Sequence, residues 1–421
     1  EALRERARQI KAHALAHLPY YLEQLEAEVR ATGGHVHWAR DGAEACGIIL
    51  DIARRHGVRT VVKSKSMTTE EIELNHVLEH DGIQVTETDL GEFILQLIGE
   101  KPGHILGPAI HKTKEQVAEV FSQHLGIPRY DQPEQLTMAA RTALRHRFLQ
   151  AGMGISGVNF GVAETGTIVV VENEGNARLT TSLPKVHVAV MGMEKVIPTM
   201  ADLITLMRVL ARSATGQTMP VYASLINGPR RAGEADGPDE FHLVILDNGR
   251  TRILADPEMR ESLQCIRCGA CLNVCPVYQR TAGHPYGSVY SGPIGAVITP
   301  LYLGIDRAAQ LPFASSLCGA CGEVCPVKID IPRLLVTLRA RAVAAGHAPA
   351  AERWSFRLWQ WAMERSGGYA LGGRLMRRAL RLFERDGKVS SLPFPFSQWT
   401  QSRDFPAPPA KSFRERWREV R

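Results

Sequence analysis

The stretch "VRTVVKSKSMTTEEIELNHVLEHDGIQVTETD", residues 58–89, decides the fold. It opens with a β-branched run that ends in Lys63, Ser64 and Lys65. Threonines and glutamates follow, then apolar residues at helical spacing up to Gly82. This predicts a Thr-capped helix. "IQVTETD" reads as a second strand. Strand, helix, strand is a βαβ unit and implies parallel pairing.

The alternation continues on both sides. "EACGIILDIARRHG" (44–57) reads as a helix with Gly57 as its C-cap. "LGEFILQLIG" (90–99) and "MADLITLMRVLARSA" (200–214) read as helices, and "TKEQVAEVFSQHLG" (113–126) as a Thr-capped helix. "HILGPAI" (104–110), Thr167–Val171 and "KVHVAVMG" (185–192) read as strands. In "FHLVILDNGRTRIL" (241–254) two β-runs flank Asn248-Gly249, which predicts a type I′ hairpin. The expected class is α/β, with one helix over residues 1–32 and an α/β domain over 33–257.

A different chemistry begins after that domain. "CIRCGACLNVCPVYQR" (265–280) spaces four cysteines as C-x2-C-x2-C-x3-C-P. "SSLCGACGEVCPVKID" (315–330) repeats the rhythm, but Ser315 stands where the first cysteine belongs. This is the bacterial ferredoxin spacing, in which three close thiolates hold one cubane and the fourth reaches the other. Zinc sites usually separate two C-x2-C pairs, so zinc fits poorly. Cross-ligation predicts one cluster on Cys265, Cys268, Cys271 and Cys325. The second would use Cys318, Cys321 and Cys275, with Ser315 as a candidate non-Cys corner. Two iron–sulfur clusters of the [4Fe–4S] type are expected, and the second could instead be [3Fe–4S]. His284 is an alternative ligand that reads equally as an ordinary histidine. Cys46 reads as a buried apolar residue. Forty-two residues, with helix-like segments, lie between Cys275 and Cys318, which points to an α-helical ferredoxin domain over 258–345.

The charge is uneven. The net charge is +6, yet residues 351–421 hold 15 Lys and Arg against 7 Asp and Glu. The other 350 residues carry 35 basic and 37 acidic groups, so most of the chain is no polyanion binder. Five of six tryptophans share the 346–421 tail, with the glycine-rich "GGYALGGR", expected to be a hinge, and proline-rich runs. "RWSFRLWQWAMER" suits docking on a partner or lying on a membrane surface. No nucleic-acid module is present. No long apolar run or signal-type leader is seen, which suggests a cytoplasmic chain, associated with a membrane only through partners.

The segments "KSKSMTTEEIELNHVLEHDGIQVTETDLGEFILQL", "NFGVAETGTIVVVENEGNARLTTSLPKVHVAVMGMEKVIPT" and "CIRCGACLNVCPVYQRTAGHPYGSVYSGPIGAVITP" resemble the lactate utilization iron–sulfur protein family (LutB) over nearly the whole chain. The resemblance implies a LUD domain similar in fold to the ribose-5-phosphate isomerase and CoA-transferase-like group. It also implies a three-subunit, nicotinamide-independent complex oxidising L-lactate to pyruvate. The implied partners are a cysteine-rich subunit of heterodisulfide-reductase type and a smaller LUD-only subunit. Ser315 matches the family's usual form. The chain would be an electron-transfer subunit. The alternative is a directly catalytic subunit, holding hydroxyacid in the LUD pocket or at the non-Cys corner.

In parallel sheets ligands gather beyond the C-terminal strand ends. That rule nominates Lys63, Lys65, Glu87 and Asp89, with Glu164, Thr165, Asn173 and Arg178 from the glycine-rich stretch. Lysine and arginine could hold a carboxylate and an acid could take a hydroxyl proton. Asp89 reads equally as an N-cap with Glu92 as its partner. Neither a GxGxxG nor a P-loop pattern occurs, and no flavin motif is evident, although lactate oxidation needs a two-electron acceptor.

Overall fold

The computed structural model describes residues 1–420. The first compact unit, Glu1–Ala345, is built on ten strands. These are β1 His35–Ala39, β2 Thr60–Lys63, β3 Gln84–Glu87, β4 Met153–Gly157, β5 Phe160–Val162, β6 Thr167–Glu172, β7 Val186–Gly192, β8 Val196–Ile197, β9 Tyr222–Ile226 and β10 Glu240–Leu246. Six form a wholly parallel sheet in the order β1-β10-β7-β4-β2-β3. The others form a mixed sheet, β8-β5-β6-β9.

The parallel sheet is covered on both faces, which is why its central strands are almost continuously apolar. Side chains alternate between two cores. Val188, Val190, Val244 and Leu246 enter one with Ile49, Ile52 and Leu78. Ala189, Met191, Leu243 and Ile245 enter the other with Leu22, Leu25 and Val29. A third core joins the first helix, the small sheet and the cysteine region, with Ala7, Ile10, Phe160, Cys271 and Leu334 among its members.

Several expectations need correction. Residues 1–32 hold two helices, Ala2–Ala16 and Leu18–Ala31, broken at His17. The helix after β2 is also two pieces, Met67–Glu71 and Leu74–His80, with Glu73 left-handed between them. Its cap is Ser66, whose hydroxyl accepts from Thr69 N, rather than a threonine. "HILGPAI" is no strand. The His104 ring accepts from Leu106 N and folds the chain into turns. This loop instead lies against the cysteine region, where Tyr278 Oη donates to Gly103 O at 2.6 Å and His104 bonds Asn273.

The hairpin at Asn248-Gly249 is absent. Both residues take the positive φ that a type I′ turn needs, but the chain then enters a helix, Arg250–Ala255. Arg250 is 1% exposed and bonded to Glu71 and Glu194. That buried contact cannot form from a strand running back along β10.

The second unit begins at Gly346. Its helices Ala350–Met363, Ser366–Arg381 and Phe413–Val420 bury no residue. The expected "GGYALGGR" hinge lies inside the second of them. A Cβ at Gly368 would meet Ala362 O at 2.5 Å, so glycine lets this helix start hard against the preceding one. Trp354, Trp359 and Trp361 are all more than half exposed.

Candidate iron–sulfur sites

The two motifs build one loop twice. Arg267 and Leu317 both take positive φ, as do Gly269 and Gly319. Arg267 N donates to Cys265 Sγ at 3.4 Å, and Leu317 N donates to Ser315 Oγ at 3.1 Å. Ser315 therefore occupies the place that Cys265 holds in the first motif. At the far end Tyr278 N donates to Cys275 Sγ and Ile329 N to Cys325 Sγ.

Tertiary folding then mixes the motifs. Cys265, Cys268, Cys271 and Cys325 line one cavity with Arg267, Ile294 and Ile329. Cys275 and Cys318 lie close enough to Cys321 to act on its thiol. The first set is mostly buried, whereas Cys318 is exposed.

None of the seven motif cysteines is paired in a disulfide. Burial pushes Cys268 up to about 12 and Cys325 and Cys321 up to about 11. Burial also drives Cys271 well above the ordinary thiol value, with Cys265 and Cys268 adding to the rise. Converging buried thiols repel one another as thiolates, so the set calls for a cationic centre. Backbone N–H groups of Ala270 and Ile294 face the sulfurs of Cys268 and Cys271, as sulfur ligands of such clusters require. The donor set fits an iron–sulfur group. Cys46 is buried in the α/β core with its thiol raised to about 11. His284 is exposed and bonds Lys101 O.

Family models match a LUD domain over residues 22–246, a 4Fe–4S dicluster domain over 261–329 and the lactate utilisation protein B C-terminal region over 340–421. A Lactate utilization protein B from Bacillus licheniformis is 49% identical, covering 100% of this chain and 88% of that protein. One from Bacillus subtilis is 47% identical over 99% of this chain and 87% of that one. The chain belongs to the lactate utilization protein B family. A DUF162 family protein from Deinococcus radiodurans covers 54% of this chain at 13% identity and a TM-score of 0.31, too remote a likeness to carry weight. The family's dicluster domain and the thiol geometry together place iron–sulfur binding at residues 265–275 and 318–325.

The LUD residues nominated from sequence divide. Lys63 is fully buried between Glu70 (2.7 Å) and Glu87 (2.8 Å). Burial disfavours its charge, but those carboxylates more than offset this and hold it above its ordinary value. Its charge is thus already spent. Lys65 pairs with Asp89 at 3.2 Å and donates to Leu106 O. Asp89 also accepts from Glu92 N and caps Leu90–Ile98. Burial and the charge of Glu87 raise Glu92 well above its ordinary value. Glu164, Thr165, Asn173 and Arg178 do not join this group by any hydrogen bond or ion pair. Glu164 accepts from Met200 N, Thr165 bonds Thr167, Asn173 bonds Gln217, and Arg178 is exposed.

A second charged group at the same sheet edge was missed. Glu194 accepts from Arg250 Nε at 2.6 Å, Arg250 forks onto Glu71, and Tyr290 Oη donates to Glu71 at 2.6 Å. Lys11, from the first helix, donates to Glu194 O. Arg267 lies 3.7 Å from Glu194 and over the Tyr290 ring. Burial, then neighbouring cations, lower Lys11 to about 7 and Lys195 to about 8. A Cβ at Gly192 would sit 2.3 Å from Glu194 Oε2, so only glycine leaves room for this network. Two signals could have found it. "GMEKV" puts charges straight after a buried strand, and Arg267 stands between two cluster cysteines.

Proposed function

We propose that this chain is the iron–sulfur electron-transfer subunit of a complex that oxidises L-lactate to pyruvate without a nicotinamide. The observation that carries the reading is the pairing of seven thiols into two sets that exchange their fourth members across the motifs. When bound, two adjacent cubanes supply successive one-electron transfers. The residues of this chain would hold them in register. Arg4 contributes by donating to the carbonyls of Cys325 (2.7 Å) and Glu323 (2.6 Å), which ties the first helix to the second motif. Arg250 and Arg267, joined by Lys195 and by Lys11 when they are protonated, stand against the two carboxylates Glu71 and Glu194 and would offset part of the negative charge of the first thiolate set. The second site, with Ser315 in the ligand position, would hold a [4Fe–4S] or [3Fe–4S] group.

The lactate site itself would lie in a partner, a cysteine-rich subunit of heterodisulfide-reductase type or a smaller LUD-only subunit. Lys63 supports this, because its charge is already taken by two carboxylates. The exposed tryptophans beyond Gly346 would be docking anchors for such a partner. Among the described residues no helix is long and apolar enough to cross a membrane.

A second reading, direct catalysis in this chain, has one observation in its favour. Arg267 Nη1 is buried with no hydrogen-bond partner, beside Cys265, and could anchor a carboxylate. Adding L-lactate anaerobically to the iron-loaded chain, alone and then with both partners, separates the readings. Bleaching of the visible cluster absorbance only with partners is expected. Bleaching by the chain alone would place the oxidation here. No bleaching with partners, while dithionite still reduces the clusters, would overturn the lactate assignment.

A further inference from the structure

The N-terminal edge of the parallel sheet faces away from the strand ends described above, and it too gathers ionisable groups. β1 brings His35 and His37, and β10 brings Glu240 and His242. The helix Gly42–Arg55 ends at its cap, His56. Glu240 Oε2 lies 3.2 Å from His56 Nε2 and 3.2 Å from His242 Nε2. Two imidazole nitrogens from separate elements thus converge on a single carboxylate oxygen.

We propose that His56, Glu240 and His242 form a binding site for a divalent transition metal of the zinc class. Zinc–nitrogen and zinc–oxygen bonds of about 2.0–2.2 Å in a tetrahedron set neighbouring ligand atoms about 3.3 Å apart. The nitrogen–oxygen separations match that spacing, and all three ligand atoms lie within 4.8 Å of one another. The His242 ring is already oriented, because its Nδ1 is 3.1 Å from His37 Nε2 and His35 stacks on it at 4.9 Å. Metal-bound imidazoles usually use the second nitrogen in this way.

The proton count balances. Without an ion, the tautomer in which His242 Nε2–H donates to Glu240 and His37 Nε2–H donates to His242 Nδ1 satisfies both contacts, and His56 Nε2 lies against the same carboxylate oxygen. With an ion, each ring keeps one proton but moves it to the other nitrogen, and His242 Nδ1–H donates to His37. Glu240 offsets one of the two charges. Arg55 and Arg30, whose charges reach His37, oppose the dication. Solvent completes the fourth position, since the His56 and Glu240 side chains are 29% and 39% exposed. The ion would pin a helix end to the sheet edge. A comparable group, Glu100, His111 and His284, is less suited. Lys112 already pairs with that glutamate, and His284 bonds a carbonyl.

The test uses the full chain with its clusters loaded, dialysed against zinc, with metal content and visible cluster absorbance measured together. One zinc per chain is expected, with the cluster absorbance unchanged. His56→Ala and Glu240→Gln should each weaken binding at least tenfold, while His111→Ala binds as the parent does. Zinc should raise the melting temperature of the parent but not of His56→Ala. No bound zinc, binding by His56→Ala and Glu240→Gln as tight as the parent's, or loss of binding only in His111→Ala would each overturn the proposal.

Discussion

The two cysteine sets share a backbone and differ in everything around it. Each loop turns through a positive-φ residue just before its middle thiol, Cys268 or Cys318, and a positive-φ glycine just after it. Around the first set stand the largely buried Arg267 and, beyond it, the buried Lys11, Lys195 and Arg250. Around the second stand an exposed Cys318, the hydroxyl of Ser315, and Arg339, which donates to the carbonyls of Pro312 (2.9 Å) and Ser315 (2.8 Å). A repeated motif therefore does not make a repeated site. The environment is set by what packs on each loop. For the first it is the first helix and the charged end of the parallel sheet. For the second it is helix Ile331–Ala344 and solvent.

The comparison can be broken most sharply at Cys325, which lies in the second motif but faces the first set. Cys325→Ser should cost the buried cluster, lowering iron content by about half, while the exposed set keeps its electron paramagnetic resonance signal. Loss of the exposed signal instead would mean that each motif serves its own cluster. The arginines come next. Arg250→Leu strands Glu71 and Glu194 without their partner and should destabilise the chain by about 3–5 kcal/mol in denaturant unfolding. Arg339→Ala removes hydrogen bonds at the open site and should cost only about 1–2 kcal/mol. Equal costs would mean that the two sites are not electrostatically distinct.

Ser315→Cys sharpens the comparison from the other side. It should lengthen the second cluster's lifetime against a chelator while leaving turnover of the assembled complex within about twofold, since a relay tolerates a closed corner. Abolished turnover would place substrate at that corner. The effect that is smallest near neutral pH and grows with acidity concerns β7, whose C-terminal end leads into Glu194 and whose other end buries His187. Burial lowers His187 to about 3 from an ordinary value of 6.5. Between those values the unfolded chain binds a proton that the folded chain does not, so stability falls as pH drops through this window. The slope is about 1.4 kcal/mol per pH unit. His187→Asn should flatten the acid limb of an unfolding profile by that amount, and an unchanged limb would refute the buried neutral histidine.

Much of this was legible beforehand, and the failures have a pattern. The parallel α/β class followed from strand–helix alternation, because periodicity reports which faces are buried. The cysteine spacing reported a loop, because four ligands within eleven residues leave the chain few ways to fold. What failed were segments whose conformation answers to a distant partner. "HILGPAI" has strand-like residues but is turned by His104 and the contact of Tyr278 with Gly103. Asn248-Gly249 has hairpin chemistry but is redirected by burial of Arg250. Lys63 looked like a free cation at a strand end, and nothing in its neighbours along the chain revealed that Glu87 would reach it.

The sequence alone thus determined the local units: the βαβ alternation, the two cysteine loops and the missing thiol at Ser315. These depend on spacing within a few residues, and spacing is written in the chain. The ferredoxin spacing also predicted that Cys325 and Cys275 exchange between the motifs. Only the tertiary structure decided that Cys318 is exposed while the other set is mostly buried, that Lys63 is taken by Glu70 and Glu87, and that His56 and His242 meet at one carboxylate. Those outcomes join residues up to hundreds of positions apart, such as Arg4 and Cys325, and are set by packing and desolvation, which no local pattern encodes.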